Sequence, residues 1–271
     1  MAREPKVVSR IEPTGELMGR VAVISDIHGN LAALNAVLEC IDECGIAEIV
    51  CLGDIVGYGP NPRECVEVTL ARCQTVVRGN HDDGVLDRAQ LGDFNGMART
   101  ALLWTRAALL RSHLERIAAL PLRAHLFGAV MCVHDSPQPG TAAYVHDVRA
   151  AAFAFRGLDS GICLLGHTHV PMVFSTQSLF PDDPLTPGDV DARLLRDGDV
   201  VELDPGSRYI LNPGSVGQPR DSDPRASFGI LDLDDATFRL RRAPYDIAAT
   251  QQAALAAGLP APLSQRLAIG A

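Results

Sequence analysis

The chain has 271 residues, 47 % hydrophobic and 21 % charged, which suits one large globular domain with a sizeable core. Its net charge of −9 excludes a nonspecific grip on long nucleic acid, which needs a basic face. A small phosphorylated substrate stays open, because bound cations reverse the charge locally.

Residues 1–19 hold Pro5, Pro13 and Gly15 and lack both periodicity and the apolar stretch of a secretory signal, so they read as a loose tail. Val21 to Ile24 is an apolar, mostly β-branched run that reads as a strand buried on both faces. It ends in Ser25-Asp26-Ile27-His28-Gly29-Asn30, and in extended backbone Asp26 and His28 leave one face. Asn30 is a fitting N-cap for a helix with Leu31, Leu34, Val37, Leu38 and Ile41 on one side, ended by Gly45. A second strand (48–52) delivers Gly53-Asp54, then a rigid Gly57-Tyr58-Gly59-Pro60-Asn61-Pro62 loop and a helix to Ala71. A third strand (74–77) runs into Arg78-Gly79-Asn80-His81-Asp82. Residues 83–120 read as a helical insertion, with Met97, Ala101, Trp104, Thr105 and Ala108 in helical spacing, broken at Pro121.

Leu122 to Phe127 and Ala129 to Val133 pattern as a hairpin turning at Gly128, and the second arm exits at His134-Asp135. Asp147 caps a helix whose Val148, Ala151, Ala152 and Phe155 face inward. Strand 161–165 exits into Gly166-His167-Thr168-His169, and Pro171 to Ser175 is a further strand. Residues 176–190 read as an irregular loop, and 191–203 as a hairpin around Asp197-Gly198-Asp199. Strand 208–211 turns at Asn212-Pro213-Gly214-Ser215-Val216-Gly217, and Phe228 to Leu233 and Thr237 to Arg241 alternate as an antiparallel pair. From Asp246 to residue 271 the chain reads as a helix and then a loose tail. The expectation is one α/β (α+β) domain over 20–245, a four-layer α/β/β/α sandwich of two mixed sheets flanked by helices.

Seven cysteines form an odd set without framework spacing. Cys51, Cys132 and Cys163 fall in apolar strands as small hydrophobes, and reduced thiols point to the cytosol. No apolar run approaches the roughly 18 residues of a membrane span.

Five apolar strands thus stop at a residue able to bind metal, and in an open α/β sheet such C-terminal edges meet in one crevice. The residues collected there are Asp26, His28, Asp54, Asn80, His81, His134, His167 and His169. Imidazole, carboxylate and amide together suit Mn, Fe, Zn or Ni better than Ca. One ion takes three or four protein ligands, so seven ligands among these eight residues suggest two ions about 4 Å apart sharing a carboxylate. Any one of these histidines alone is as easily a hydrogen-bonded loop residue, but five of the eight stand at strand exits. His113, His125 and His146 lie elsewhere and read as surface or packing residues.

Asp26-x-His28, Gly53-Asp54, Gly79-Asn80-His81-Asp82, His134 and Gly166-His167-Thr168-His169 resemble the motif series of the calcineurin-like metallophosphoesterases over residues 20 to about 240. The Gly57 to Pro60 loop and the Asn212 to Gly217 stretch resemble the small prokaryotic phosphodiesterase branch of that superfamily. The resemblance implies one metal on Asp26, His28 and His169 and a second on Asn80, His134 and His167, with Asp54 bridging. It implies attack by a hydroxide held between two divalent transition-metal ions, manganese favoured, with His81 protonating the leaving oxygen. Asn80 is also expected to touch the phosphoryl group. One departure matters: where protein phosphatases of this superfamily carry Asp-Arg-Gly, this chain has Gly57-Tyr58-Gly59. Losing that arginine favours a monoanionic diester over a monoester dianion. Tyr58 and Arg220 are the expected substrate contacts. The reading is a phosphodiesterase on small nucleotide-like substrates, partnered by neither long nucleic acid nor membrane. A dinucleoside polyphosphate hydrolase is the alternative, followed by a protein phosphatase; a non-catalytic scaffold would be expected to have lost some of these residues.

Overall fold

The computed structural model describes residues 19–138, 143–180 and 183–271. The expected N-terminal tail, up to residue 18, lies outside the described residues. β1 (Arg20–Ile24) is buried in all but its first residue, and α1 (Leu31–Glu43) follows with Leu34, Val37, Leu38 and Ile41 inward. Asn30 starts that helix, its side chain accepting from Ala33 N at 3.2 Å. β2 (Glu48–Cys51), α2 (Pro62–Arg72) and the short β3 (Thr75–Val76) complete a parallel β3-β2-β1 block.

α3 (Asn80–Leu86) begins earlier than its sequence pattern suggests, because Asp82 reaches back to accept from Gly79 N at 3.0 Å. Asn80 and His81 therefore occupy the first turn of a helix, not a loop. α4 (Gly96–Ala108) and α5 (Arg111–Ala118) make up the rest of the insertion, with a 3-10 turn between α3 and α4. β4 (Arg123–Leu126) and β5 (Val130–Val133) form the expected hairpin, with Phe127 and Gly128 both at positive φ in the turn.

After α6 (Val148–Ala154), β6 (Ile162–Leu164) lies between β5 and β10 (Arg208–Asn212), parallel to both. The 191–203 segment departs from expectation. β7 (Met172–Thr176) pairs with β8 (Asp191–Leu194), whereas β9 (Val200–Glu202) pairs with β12 (Thr237–Ala243) in the other sheet. The turn itself is real, with Asp199 N bonded to Arg196 O at 2.9 Å. Leu195 and Leu203 on its two arms are buried between the sheets, so the connection crosses from one sheet to the other.

With β11 (Ala226–Asp232) added, the two six-stranded mixed sheets run β3-β2-β1-β11-β12-β9 and β4-β5-β6-β10-β7-β8. Val21, Val23, Leu52 and Leu231 meet Val130, Cys132, Leu164 and Leu211 between them. α1 and α2 cover the outer face of the first sheet and α6 that of the second, which gives the expected four layers. The C-terminal segment is not loose: α7 (Ile247–Ala256) is followed by α8 (Ala261–Gln265), and Ala254, Leu259 and Leu263 pack against Tyr58. No helix among the described residues is long and apolar enough to cross a membrane. All seven cysteines are free thiols.

Candidate metal centre

Two parallel blocks, β3-β2-β1 and β5-β6-β10, end on the same edge of the sandwich. Their exits bring together every residue collected from the sequence. Asp26 accepts from His167 N at 3.1 Å across the two sheets, and Asp54 accepts from His81 N at 2.8 Å. Asp26 Oδ1 lies 3.2 Å from His169 Nε2 and 3.8 Å from His28 Nε2. Asp54 Oδ2 lies 3.3 Å from His134 Nε2 and 3.6 Å from His28 Nε2. His134 Nε2 is 3.1 Å from Asn80 Oδ1, and His167 packs against His134 with ring centroids 5.1 Å apart.

The local backbone is not the extended one expected for Asp26-x-His28. Asp26, His28, Asp54, Tyr58, His167 and His169 all have φ between 51° and 66°, the left-handed region. Each such residue costs about 1–3 kcal/mol, so the surrounding structure must hold it there. It does: Asp26 N bonds Gly53 O at 3.0 Å, His28 N bonds Asp54 O at 2.9 Å, and Ser215 Oγ bonds Asp26 O at 2.8 Å. Close approach also demands glycine, since a Cβ on Gly79 would collide with Asp54 Oδ1.

Hydrogen bonding fixes the imidazole tautomers. His28 Nδ1 faces Val56 O at 3.2 Å, His134 Nδ1 faces Leu52 O at 2.8 Å, and His169 Nδ1 faces Gln218 O at 2.6 Å. Carbonyls only accept, so each Nδ1 carries hydrogen and each Nε2 faces inward, as a bare lone pair at His28 and His169. The Nε2 atoms of His28 and His169 then oppose each other at 3.0 Å. Two facing lone pairs repel unless a cation or a proton lies at them. Burial holds the pKa of His28 well below its ordinary value and lowers that of His169, which disfavours the proton. At His134 burial also opposes charge, but Asp54 outweighs it and pushes the pKa up to about 10. Burial would raise Asp26 and Asp54, yet neighbouring histidines, His169 first for Asp26 and His134 first for Asp54, hold both below the ordinary carboxylate range. Asp26 Oδ1 and His167 Nε2 are buried without a hydrogen-bond partner. Bare imidazole nitrogens, ionised carboxylates and orphaned acceptors facing one space are what divalent transition-metal ions require.

His81 differs from the others. Its ring is enclosed by His28 at 4.7 Å, Tyr58 at 4.5 Å and Phe94 at 4.9 Å, and its Nδ1 has no hydrogen-bond partner. Burial takes its pKa down to about 4, with Asp54 opposing. Asp82, adjacent in sequence, does not orient the ring. It accepts from Gly79 N and Val56 N, and burial together with Asp54 raises its pKa to about 7.

Beside these residues opens a cavity of about 730 Å³, lined among others by Tyr58, Asn80, Phe94, Asn95, His134 and Tyr144. Tyr58 lines this cavity, and Arg220 is tied beside the histidines by its backbone N, which donates to His169 O at 3.2 Å. Sequence reasoning missed Phe94, Tyr144 and the supporting pair Asn212 and Ser215. Asn212 Nδ2 donates to Gly166 O at 2.7 Å, so the sixth parallel strand exit braces the histidine loop. The one available signal was the tight Asn212 to Gly217 turn at that exit. His113, buried against Glu67 at 3.0 Å, and the outlying His125 and His146 stay apart from the site.

The family model described as "Calcineurin-like phosphoesterase superfamily domain" matches residues 20–236. The chain belongs to this superfamily. It is a hydrolase of phosphate esters, from a metal-dependent family, with candidate metal-binding residues gathered at the sheet edge. An uncharacterized protein of Methanocaldococcus jannaschii is 40 % identical over 92 % of this chain and 98 % of its own length. The phosphodiesterase YfcE of Escherichia coli is 26 % identical over 80 % of this chain and 89 % of its own length. Among solved structures, a metallophosphoesterase from Sphaerobacter thermophilus superposes with a TM-score of 0.80 at 41 % identity, covering 93 % of this chain and 99 % of the other. A hypothetical protein from Pyrococcus horikoshii shares the fold, with a TM-score of 0.70 at 20 % identity over 93 % of this chain and 98 % of the other.

Proposed function

We propose that this phosphoesterase is a binuclear-metal phosphodiesterase acting on small, nucleotide-like substrates in the cytosol. The observation that carries the reading is the facing pair of bare Nε2 atoms on His28 and His169 beside ionised Asp26 and Asp54. Asp26, His28 and His169 would hold one ion and Asn80, His134 and His167 the other, with Asp54 common to both. Bound there, two divalent transition-metal ions, manganese first among the candidates, would supply Lewis acidity toward the phosphoryl oxygens and acidify water at neutral pH.

The remaining roles fall to the chain's own groups. The Asn80 side chain stands where it can orient a phosphoryl oxygen, and Arg220 offers positive charge to the anion. His81 is the one imidazole of the group not assigned to a metal, and it passes a proton to the leaving oxygen. Burial keeps the ring neutral in the empty site, and the negative charge of an entering phosphate raises its pKa, so that it takes up the proton it then delivers to the leaving oxygen. Diesters are favoured because tyrosine at position 58 cannot supply the bidentate charge that a phosphate dianion needs. YfcE, itself named a phosphodiesterase, points the same way.

The test is a panel of kcat/KM values for bis-p-nitrophenyl phosphate, p-nitrophenyl phosphate, 2′,3′-cyclic AMP, diadenosine tetraphosphate and a phosphopeptide. Diesters should be turned over fastest. Fastest turnover of the monoester or phosphopeptide would overturn the diesterase reading, and fastest turnover of the tetraphosphate would replace it with a dinucleoside polyphosphate hydrolase.

A further inference from the structure

The cavity of about 730 Å³ reaches well beyond the metal-site residues, onto a wall that the helical insertion supplies. Phe94 and His81 share that wall, their ring centroids 4.9 Å apart and their planes at 78°. The seat of Phe94 is built into α3: a Cβ on Gly84 would press to 3.2 Å from Phe94 Cε2, so the helix carries glycine where the ring needs room. Asn95, next in sequence, caps α4 with its Oδ1 accepting from Ala98 N at 3.0 Å, which fixes the amide plane. Its Nδ2 donates to no group among the described residues, and the residue lines the cavity. Charge on this side of the cavity is already matched. Among the described lining residues, Arg78 Nε lies 2.6 Å from Asp83 Oδ1 and Arg123 Nη2 donates to Pro137 O at 2.5 Å. Asp93 and Asp135 add two further carboxylates.

A second phosphate group would meet more carboxylates than guanidiniums here, whereas a flat, uncharged group with hydrogen-bond acceptors meets an aromatic ring and a fixed amide donor. His81 protonates the leaving oxygen, so the alcohol released must lie on the His81 side of phosphorus. We propose that Phe94 and Asn95 form the leaving-group subsite and set its specificity: it takes an uncharged nucleoside, the base against the Phe94 ring and a base acceptor on Asn95 Nδ2. Water gives its oxygen and one hydrogen to phosphorus, the P–O bond to the nucleoside breaks, and His81 delivers the other proton to the nucleoside oxygen. This rests on the phosphodiesterase reading above and adds to it which of the two ester bonds breaks. It also says why a dinucleoside polyphosphate is disfavoured, since its leaving group would carry further negative charge toward Asp83, Asp93 and Asp135.

The experiment uses the full chain loaded with manganese and two readouts. The first is binding of adenosine, with ribose as the control, by titration calorimetry. The second is the product ratio from adenosine 5′-methylphosphate, one substrate whose two alkoxides have similar basicity. Release of adenosine leaves methyl phosphate, and release of methanol leaves AMP. Because both products come from one bound substrate, their ratio does not depend on how much of a variant is folded or metal-loaded. The wild-type chain should bind adenosine better than ribose and release adenosine over methanol by roughly 10-fold or more. Phe94→Leu removes the stacking face, and Asn95→Ser keeps a good N-cap while removing the amide. Each should weaken adenosine binding and lower the product ratio by roughly 3- to 10-fold. No saturable adenosine binding, ribose bound as well as adenosine, preferred release of methanol, or a ratio that neither variant moves would each overturn the proposal. A wild-type chain that turns over no diester would overturn the function proposed above, while the adenosine titrations still decide the subsite.

Discussion

The floor of the site and its rim are built differently. Asp26, His28, Asp54, His134 and His169 on the floor hang from parallel strands and are at most 3 % exposed. Phe94, Tyr144 and Arg220 on the rim come from the insertion and from loops, and Tyr144 is 50 % exposed. Floor side chains are pinned twice, by strand pairing behind them and by a backbone carbonyl on each of three imidazoles. Rim side chains lean on the site histidines instead, Phe94 against His81 and Tyr144 against His167. A rigid floor suits groups that hold ions to tenths of an ångström, and a looser rim suits groups that meet different substrates.

Substitutions should separate the two regions by size of effect. Asp54→Asn strikes the floor where both candidate ion sites meet. It should lower kcat/KM by roughly 10³-fold and reduce occupancy at both sites together, read by elemental analysis. Loss at one site only would split the floor into independent halves. His81→Ala should cut kcat by roughly 10²- to 10⁴-fold with metal content intact. That loss should shrink for p-nitrophenolate, which leaves without a proton, and equal losses for good and poor leaving groups would remove the acid role.

Gly57 joins floor to rim. Its φ of +93° is left-handed, and a Cβ there would run into His81 Nδ1. Gly57→Ala should cost about 1–3 kcal/mol of stability by thermal unfolding and, by displacing His81, lower kcat roughly 10- to 100-fold. Unchanged kcat would show that His81 need not sit where it does. Phe94→Leu touches only the rim and should raise KM about threefold with kcat preserved. A kcat loss as large as that of His81→Ala would erase the distinction between the regions.

The floor was legible in the sequence because buried parallel strands announce themselves as short apolar runs, and the polar residues at the end of each run must lie at the common edge. Local conformation there was not legible. Asp26 and His28 read as same-face strand residues, yet both are left-handed, a choice made by bonds from distant Gly53, Asp54 and Ser215. The same limit explains β8 and β9: Asp197-Gly198-Asp199 signals a turn, but only burial of Leu195 and Leu203 between the sheets decides that its arms part. Tyr144 and Phe94 carried no signal, since an aromatic residue in irregular chain has no periodicity to betray its neighbours. Helix α3 was misplaced by three residues because Asp82 capping Gly79 is a contact, not a composition.

The central claim is that the converging strand ends hold two ions that share Asp54. Anomalous scattering from crystals of the manganese-loaded chain tests it most directly. The account predicts two peaks, one among Asp26, His28 and His169 and one among Asn80, His134 and His167, with Asp54 in contact with both. A single fully occupied peak under metal excess, or a second peak coordinated by His81, would contradict it.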